Sequence, residues 1–202
     1  MDIRDLAEAV SGEKPLDFIL FDACFMSSIE VLYDLRHAAE YVVASPAEIL
    51  ADGFPYAAVL PSLFTRHPRL EEACRLFVEH YRGSDYPSAT VALVQTSELE
   101  ALAATVRNLI ALNPSFSVDP ASVQHFENMG EHVYHDLAGF CSKIAPGTAA
   151  CRAFENQLER TVLFADHTPS FYSAYGYGSH WIEIESCCGV SAYIPFPGKS
   201  LN

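Results

Sequence analysis

Basic residues are scarce in this chain: 12 Lys and Arg stand against 26 Asp and Glu in 202 residues, a net charge of −14. That balance argues against a polyanion partner such as nucleic acid and favours a cationic peptide or a divalent metal, although plain solubility accounts for most of the surplus carboxylates. Cysteine is sparse as well. The six, at 24, 74, 141, 151, 187 and 188, are too few for a disulfide scaffold at this length and show neither a Cys-x-x-Cys pair nor zinc-type spacing, so they read as mostly free or buried thiols and a redox role fits poorly. Cys187 and Cys188 are adjacent and would point to opposite faces of a strand, which speaks against a shared metal. No apolar run approaches the length needed to cross a bilayer, the first residues lack the charged start of a secretion signal, and there are no repeats or low-complexity tracts. What is present is a chain that is 50% hydrophobic and long enough for one sizeable core, so a single domain over 1–202 is the default expectation.

The most informative stretch is Leu16-Asp17-Phe18-Ile19-Leu20-Phe21-Asp22-Ala23-Cys24. It follows Pro15 and is nearly all apolar as far as Phe21, which suits a strand covered on both faces by helices, in the middle of a parallel sheet. Ser27 and Glu30 have capping-box spacing, and Ile29, Leu32 and Tyr33 recur at helical intervals, so a helix follows. Cys24 would then lie at the carboxyl end of a strand and ahead of a helix N-terminus, where ligands gather and thiol pKa values fall. Unpaired Cys is also among the most buried residue types, and spacing alone leaves a reactive thiolate and a small core residue evenly matched.

Elsewhere the pattern alternates. Residues 2–11 form an amphipathic helix expected to pack on the sheet, and Gly12 stops it. Residues 41–45 read as a second buried strand, with 46–53 as the loop leaving its carboxyl end beside Cys24. Helical segments follow over 54–64, interrupted by Pro55 and Pro61, and from Pro68, with Leu70, Cys74, Phe77, Val78 and Tyr81 on one face. The third strand is 90–95, followed by a Ser97/Glu100 capping box and a helix striped by Leu99, Leu102, Ala103, Val106 and Ile110. This alternation predicts a parallel sheet with right-handed crossovers. Beyond Asn113 the signal weakens to a loop with a short helix over 120–126, then helices over 132–141 and 148–163. An aromatic loop over 170–179, with Phe171, Tyr172, Tyr175, Gly176, Tyr177 and Gly178, is suited to walling a peptide groove, although exposed turn chemistry is its commoner meaning. Trp181, Ile182 and Ile184 alternate into a strand over 189–194, and Pro195-Phe196-Pro197-Gly198 ends regular structure.

An apolar strand running into Asp22-Ala23-Cys24 resembles the nucleophile block of the caspase-like cysteine peptidases. The continuation through Phe25-Met26-Ser27-Ser28-Ile29-Glu30, then Tyr41-Val42-Val43-Ala44-Ser45-Pro46-Ala47-Glu48 and Asp52-Gly53-Phe54-Pro55-Tyr56, is similar to the clostripain family in particular. Tyr134-His135-Asp136-Leu137 and Gly189-Val190-Ser191-Ala192-Tyr193-Ile194-Pro195 resemble later segments of the same family. The resemblance implies an α/β fold, a caspase-like three-layer α/β/α sandwich with a mostly parallel sheet. It also implies a bacterial thiol protease, secreted or in the cell envelope, that cleaves after Arg or Lys with Cys24 as nucleophile and requires no cofactor, calcium being the one the family leaves open.

The family's catalytic His lies upstream of the Cys, on the preceding strand, and the Gly after it completes the oxyanion hole. Here no His precedes Cys24, and those at 37, 67, 80, 125, 132, 135, 167 and 180 match no family position for the base. The base-bearing strand is expected upstream of this chain, on a light chain separated by maturation cleavage or on residues lost by truncation. The isolated chain is then expected to be all but inactive. The resemblance implies a pocket for a basic P1 side chain, and on that ground Asp22, on the same side of the strand as Cys24, and Asp52, in the neighbouring exit loop, are read as its carboxylates. The alternatives are that Asp22 caps the next helix and Asp52 fixes the turn at Gly53. Glu48 is read as a solvated carboxylate, and His132 with His135, at i and i+3 of a helix, as solvated rather than metal-binding. The competing function is an inactive fragment or pseudo-peptidase acting as an interaction domain. The apolar edge at 16–21 further predicts self-association or retention of the upstream segment.

Overall fold

The computed structural model describes residues 2–130, 132–176 and 180–194. Helix α1 (Ile3–Val10) leads into β1 (Leu16–Leu20), α2 (Ile29–Asp34) and β2 (Ala39–Ala44), and α3 (Tyr56–Leu63) and α4 (Leu70–Arg82) carry the chain to β3 (Thr90–Gln95). After α5 (Leu99–Leu112) come β4 (Tyr134–Asp136), α6 (Leu137–Ile144), α7 (Ala149–Thr161) and β5 (Val162–His167). A hairpin of β6 (Ser170–Tyr172) and β7 (Trp181–Glu183) follows, then β8 (Ser191–Tyr193), which pairs with β4.

The central sheet has the order β1-β2-β3-β5. β1 and β2 are parallel, with Phe18 opposite Tyr41 and Leu20 opposite Val43, as expected of two strands joined by one crossover helix. β3 runs antiparallel to both its neighbours, so the sheet is mixed, with β1, β2 and β5 pointing one way and β3 the other. The reason lies in the connection. Two helices packed on each other, α3 and α4, separate β2 from β3, and an out-and-back pair returns the chain to the end of the sheet it left. A parallel sheet follows from alternation only when each crossover holds a single helix.

Period-two alternation sorts the strand side chains into two cores. Val42, Ala44, Ala92 and Val94 pack among Leu32 of α2, Leu99, Leu102 and Leu109 of α5, Leu137 of α6 and Phe154 of α7. Val43, Val91 and Leu93 pack among Val59 of α3 and Cys74, Phe77, Val78 and Tyr81 of α4, where Phe54 stacks on Phe77 with ring centres 4.1 Å apart. The result is the three-layer α/β/α arrangement, and each fully buried Leu or Phe contributes about 2–3 kcal/mol of transfer free energy to it.

Several local expectations are corrected. Among the described residues β1 is an edge strand rather than a central one, paired only with β2, and its Leu16 is 44% exposed. α1 has no buried residue and rests beside α2, not on the sheet; Arg4 there lies 3.4 Å from Asp34. Ser28, not Ser27, caps α2 by accepting from the Val31 N–H at 3.4 Å. The Ser97/Glu100 box does not form, because a 3-10 turn over Thr96–Glu98 precedes α5 and Glu100 is drawn to Arg36 at 2.8 Å and Tyr33 at 2.9 Å. α5 turns Leu109 inward and leaves Ile110 39% exposed. The 120–126 helix is only a 3-10 turn over Pro120–Ser122, and residues 134–136, expected to be helical, pair with β8 instead. The readings of Tyr177, Gly178, Ser179 and residues 195–198 lie outside the described residues. Among the described residues no helix is long and apolar enough to cross a membrane.

Candidate active site

The β1 ladder extends one residue past its end, the Phe21 N–H donating to Val43 O at 2.9 Å, and the chain then breaks into a turn over 24–27. Phe25 in that turn takes φ 62°, a left-handed backbone that costs a bulky residue about 1–2 kcal/mol. Two contacts hold it there: its N–H donates to Ala47 O at 3.1 Å, and its ring stacks on Tyr134 at 5.5 Å and 12°. Ser27 fastens the other side. Its Oγ donates to Gly189 O at 2.6 Å, its N–H to Ser45 O at 2.9 Å, and its carbonyl accepts from the Ser191 N–H at 3.0 Å. The turn is thereby tied both to the loop leaving β2 and to β8. α2 begins only at Ile29 and is six residues long, so this fastening, rather than a helix N-terminus, defines the setting of Cys24.

Cys24 is half-buried, with its sulfur 3.3 Å from Ile49 N, which donates to it, and 3.7 Å from Ile49 O, to which the thiol donates. Among the described residues nothing accepts from the Cys24 N–H, and no histidine hydrogen-bonds the sulfur. The other five thiols are in poorer positions to react. Burial pushes Cys74, Cys141 and Cys187 up to about 12 and Cys188 well above its ordinary value, and it raises Cys151 too.

Asp22 and Asp52 are both exposed at the same turn. Asp22 Oδ2 accepts from the Phe54 N–H at 3.3 Å and the Tyr56 O–H at 2.7 Å, and that hydrogen bond raises the Tyr56 phenol above its ordinary pKa. The approach depends on Gly53, at φ +65°, where a Cβ would stand 2.4 Å from Asp22 Oδ2. Asp22 therefore fixes the Gly53 turn, a role the sequence offered to Asp52, and it does not cap α2. Asp52 makes no hydrogen bond among the described residues. The Tyr81 phenol, raised first by burial and then by the charges of Asp52 and Asp22, donates to Gly53 O at 2.7 Å, so both carboxylates surround one turn.

Glu48 is 6% exposed rather than solvated. Its carboxylate accepts from Ser173 Oγ and from the Ala174 N–H at 2.9 Å, joining the β2 exit loop to the segment after β6. Sequence reasoning missed this role; the apolar neighbours Ala47, Ile49 and Leu50 were the available signal. It also missed Glu127, fully buried, which accepts from the N–H groups of Met129 and Val133 at 2.7 Å each. His132 and His135 do not share a helix. His132 stacks on His125 at 3.6 Å beside Glu127, burial lowers the His125 pKa, and His135 is buried with its ring nitrogens on Val123 O and His132 O. Among the described residues no group of three or more His, Cys, Asp or Glu could hold a metal ion, so the side chains do not build a calcium site.

Among the described residues the arrangement offers a thiol braced by a peptide N–H, a second N–H without a partner that can receive an oxyanion, and two carboxylates, Asp22 at the end of the same strand and Asp52 on the adjoining loop. The profile of the clostripain family matches residues 1–195. Among solved structures the chain is similar to a clostripain from Bacteroides thetaiotaomicron ATCC 29148 in complex with the peptide inhibitor BTN-VLTK-AOMK, with 30% identity over 96% of this chain and 85% of that one and a TM-score of 0.87. It is similar to iotapain, a secreted C11 cysteine protease from the same species (30% identity, 96% and 54% covered, TM-score 0.87). An inactive zymogen C11 protease from Parabacteroides distasonis is a third (34% identity, 96% and 57% covered, TM-score 0.86). The chain thus spans little more than half of the latter two. No curated protein sequence matches it.

Proposed function

Because the chain belongs to the clostripain family, we propose that it is the core of a cysteine endopeptidase cleaving after Arg or Lys, with Cys24 as nucleophile and Asp22 and Asp52 receiving the basic side chain. The observation that carries this is the half-buried Cys24 sulfur against the Ile49 N–H, one turn away from two exposed carboxylates. Sγ attacks the scissile carbonyl carbon, a C–S bond forms, and the carbonyl electrons move to oxygen, where the free Cys24 N–H receives the charge. The thiol proton passes to a base and then to the amide nitrogen as the tetrahedral intermediate collapses and the C–N bond breaks, leaving a thioester that water hydrolyses to the acid and the free thiol. A guanidinium or ammonium at the substrate's P1 position finds Asp52 unengaged and Asp22 with lone pairs to spare.

The base in this reading is a His on an upstream segment that pairs with the open edge of β1. Two observations support it: among the described residues no histidine hydrogen-bonds the sulfur, and the apolar outer edge of β1 has no strand partner. So do the coverages: at equal identity and TM-score the chain fills 85% of one relative's chain and 54% of another's, as a short and a long form of one core would. Residues 1–202 then form one domain, the heavy chain or the catalytic remainder, inactive by itself. The secreted relative favours an extracytoplasmic setting, and the VLTK peptide in the inhibitor bound to another relative ends in Lys.

The test compares the 1–202 chain with the protein extended upstream on fluorogenic peptides ending in Arg, Lys, Ala or Glu. Cleavage after Arg and Lys is expected from the extended form alone, falling at least about a thousandfold with Cys24→Ala and roughly tenfold or more with Asp52→Asn. Turnover by the isolated chain at ordinary peptidase rates would refute the external base. Equal cleavage after Glu would refute the acidic pocket. A pseudo-peptidase would show no cleavage in either form.

A further inference from the structure

We infer that Glu48 is a positioning residue for Cys24, its buried carboxylate clamping the β2 exit loop to Ser173 and Ala174 so that the neighbouring Ile49 N–H is held against the sulfur. The inference rests on the reading of Cys24 as nucleophile and adds to it the group that holds the nucleophile in place. Glu48 is 6% exposed and Ser173 is fully buried. The two meet across the site, Ser173 Oγ donating to Oε1 while the Ala174 N–H donates to Oε2 at 2.9 Å. The next peptide along the chain from Glu48 is the one whose N–H lies 3.3 Å from Cys24 Sγ.

A peptide N–H aimed at sulfur stabilises the thiolate over the thiol, and it does so only while its orientation is fixed. The Ser173 side of the clamp is itself anchored, its N–H donating to His180 O at 2.7 Å and its carbonyl accepting from His180 Nδ1 at 2.9 Å. Glu48 thus adds a tie to the segment after β6 to a loop already joined to the Cys24 turn by the Phe25 N–H on Ala47 O, and it does so at the residue next to Ile49. Its own negative charge opposes thiolate formation, so positioning and charge act with opposite sign and can be separated.

Glu48→Gln separates them. The amide oxygen still accepts from the Ala174 N–H, and the amide NH₂ can donate to Ser173 Oγ, which serves as acceptor as readily as donor. The experiment measures the rate of Cys24 alkylation by iodoacetamide against pH, read on the Cys24 peptide by mass spectrometry, in the 1–202 chain and in the upstream-extended protein. Glu48→Ala should slow alkylation about tenfold at neutral pH with the high-pH plateau unchanged, because losing one hydrogen bond to a charged group moves the thiol by about that factor. Glu48→Gln, which keeps the clamp and removes the opposing charge, should react at least as fast as wild type, with its profile at or below the wild-type pH, and Ser173→Ala should move the profile in the same direction as Glu48→Ala by a smaller amount. If Glu48→Ala does not fold, as judged by circular dichroism, the Ser173→Ala profile decides: a shift supports the clamp and an unmoved profile overturns it. Profiles unmoved in every folded variant, or moved to lower pH in both Glu48 variants as removal of a mere charge requires, overturn the proposal. Cleavage that survives Cys24→Ala in the extended protein would instead overturn the nucleophile reading, so the two failures remain distinct.

Discussion

Replacing Gly53 by alanine should destabilise the fold well beyond what its backbone conformation costs, and the excess should disappear when Asp22 is removed. Gly147 supplies the reference. It has φ +72° with nothing within 4 Å of a built Cβ, so Gly147→Ala should cost only the left-handed backbone, about 1 kcal/mol. Gly53 has nearly the same φ, +65°, but its Cβ would stand 2.4 Å from Asp22 Oδ2, 2.8 Å from Oδ1 and 2.9 Å from Cγ. The carboxylate must swing away and surrender the Phe54 N–H and the Tyr56 O–H. Asp22 is exposed, so each bond is discounted to about 0.5–1 kcal/mol, and with steric displacement the whole substitution should cost about 2–4 kcal/mol. In an Asp22→Ala background the same change should cost about 1 kcal/mol, leaving a coupling of about 1–3 kcal/mol in the double-mutant cycle. Urea unfolding followed by circular dichroism reads this directly, since at a slope of about 2 kcal/mol per molar the Gly53→Ala midpoint falls by about 1–2 M. Equal midpoints for Gly53→Ala and Gly147→Ala, or a coupling within about 0.3 kcal/mol of zero, would refute the contact and with it the claim that Asp22 shapes the loop.

Limited alkylation at neutral pH should label Cys24 before the other five cysteines, whose thiols burial raises, three of them to about 12; early labelling of Cys74 or Cys187 in peptide maps would contradict their burial. Tyr56 should ionise at higher pH than an ordinary phenol because the Asp22 carboxylate accepts its proton. Its neutral form is favoured in the folded protein, so this contribution is intact below the ordinary tyrosine value of 10.0 and is lost as pH rises past it toward the raised folded value; Asp22→Asn should bring the ultraviolet titration of Tyr56 back down. The 1–202 chain alone should sediment as an oligomer at micromolar concentration, since β1 presents an unpaired apolar edge, and a well-folded monomer would count against that.

The sequence shows strands and helices best where a single face decides them. The α4 stripe of Leu70, Cys74, Phe77, Val78 and Tyr81 is read correctly because every member is buried on one side of one helix. β3 is placed to the residue, but its direction is not legible, because direction depends on how many helices the preceding connection contains, a count blurred by Pro55 and Pro61. Pro61 in fact lies inside α3. β1 is read as central from its apolar run, but among the described residues it pairs only with β2, and an apolar run does not by itself say how many neighbours a strand has. β5 is hidden because it emerges directly from α7, with helix formers running up to Thr161 and no Gly or Pro to mark the change. At the site, Cys24 and the loop beside it are legible from the strand and its exit. The left-handed Phe25 is not, since no Gly or Asn marks it. Glu48 is not either, because a buried Glu on a loop has the same letter as a solvated one.

That last ambiguity extends to the net charge of −14, which the sequence assigns mainly to solubility. Three of the acidic side chains are buried and take no lysine or arginine partner among the described residues. Glu48 binds Ser173 Oγ and the Ala174 N–H at 2.9 Å, Glu127 binds the Met129 and Val133 N–H groups at 2.7 Å each, and Asp136 binds the Gly139 and Cys188 N–H groups at 2.7 Å each. Each carboxylate is thus a two-donor bridge between backbone segments, with charge-assisted bonds replacing the water it lost. Backbone donors need no matching cation, which lets the chain bury negative charge while remaining poor in Lys and Arg. All six cysteines are free, so no disulfide shares this task. Removing any one of the three would strand two donors at about 1–3 kcal/mol apiece, more than a surface carboxylate is worth. The segments so joined include the loop that touches the Cys24 sulfur and the strand that carries Tyr134 stacked on Phe25, so the Cys24 turn is braced on two sides by bonds to buried carboxylates.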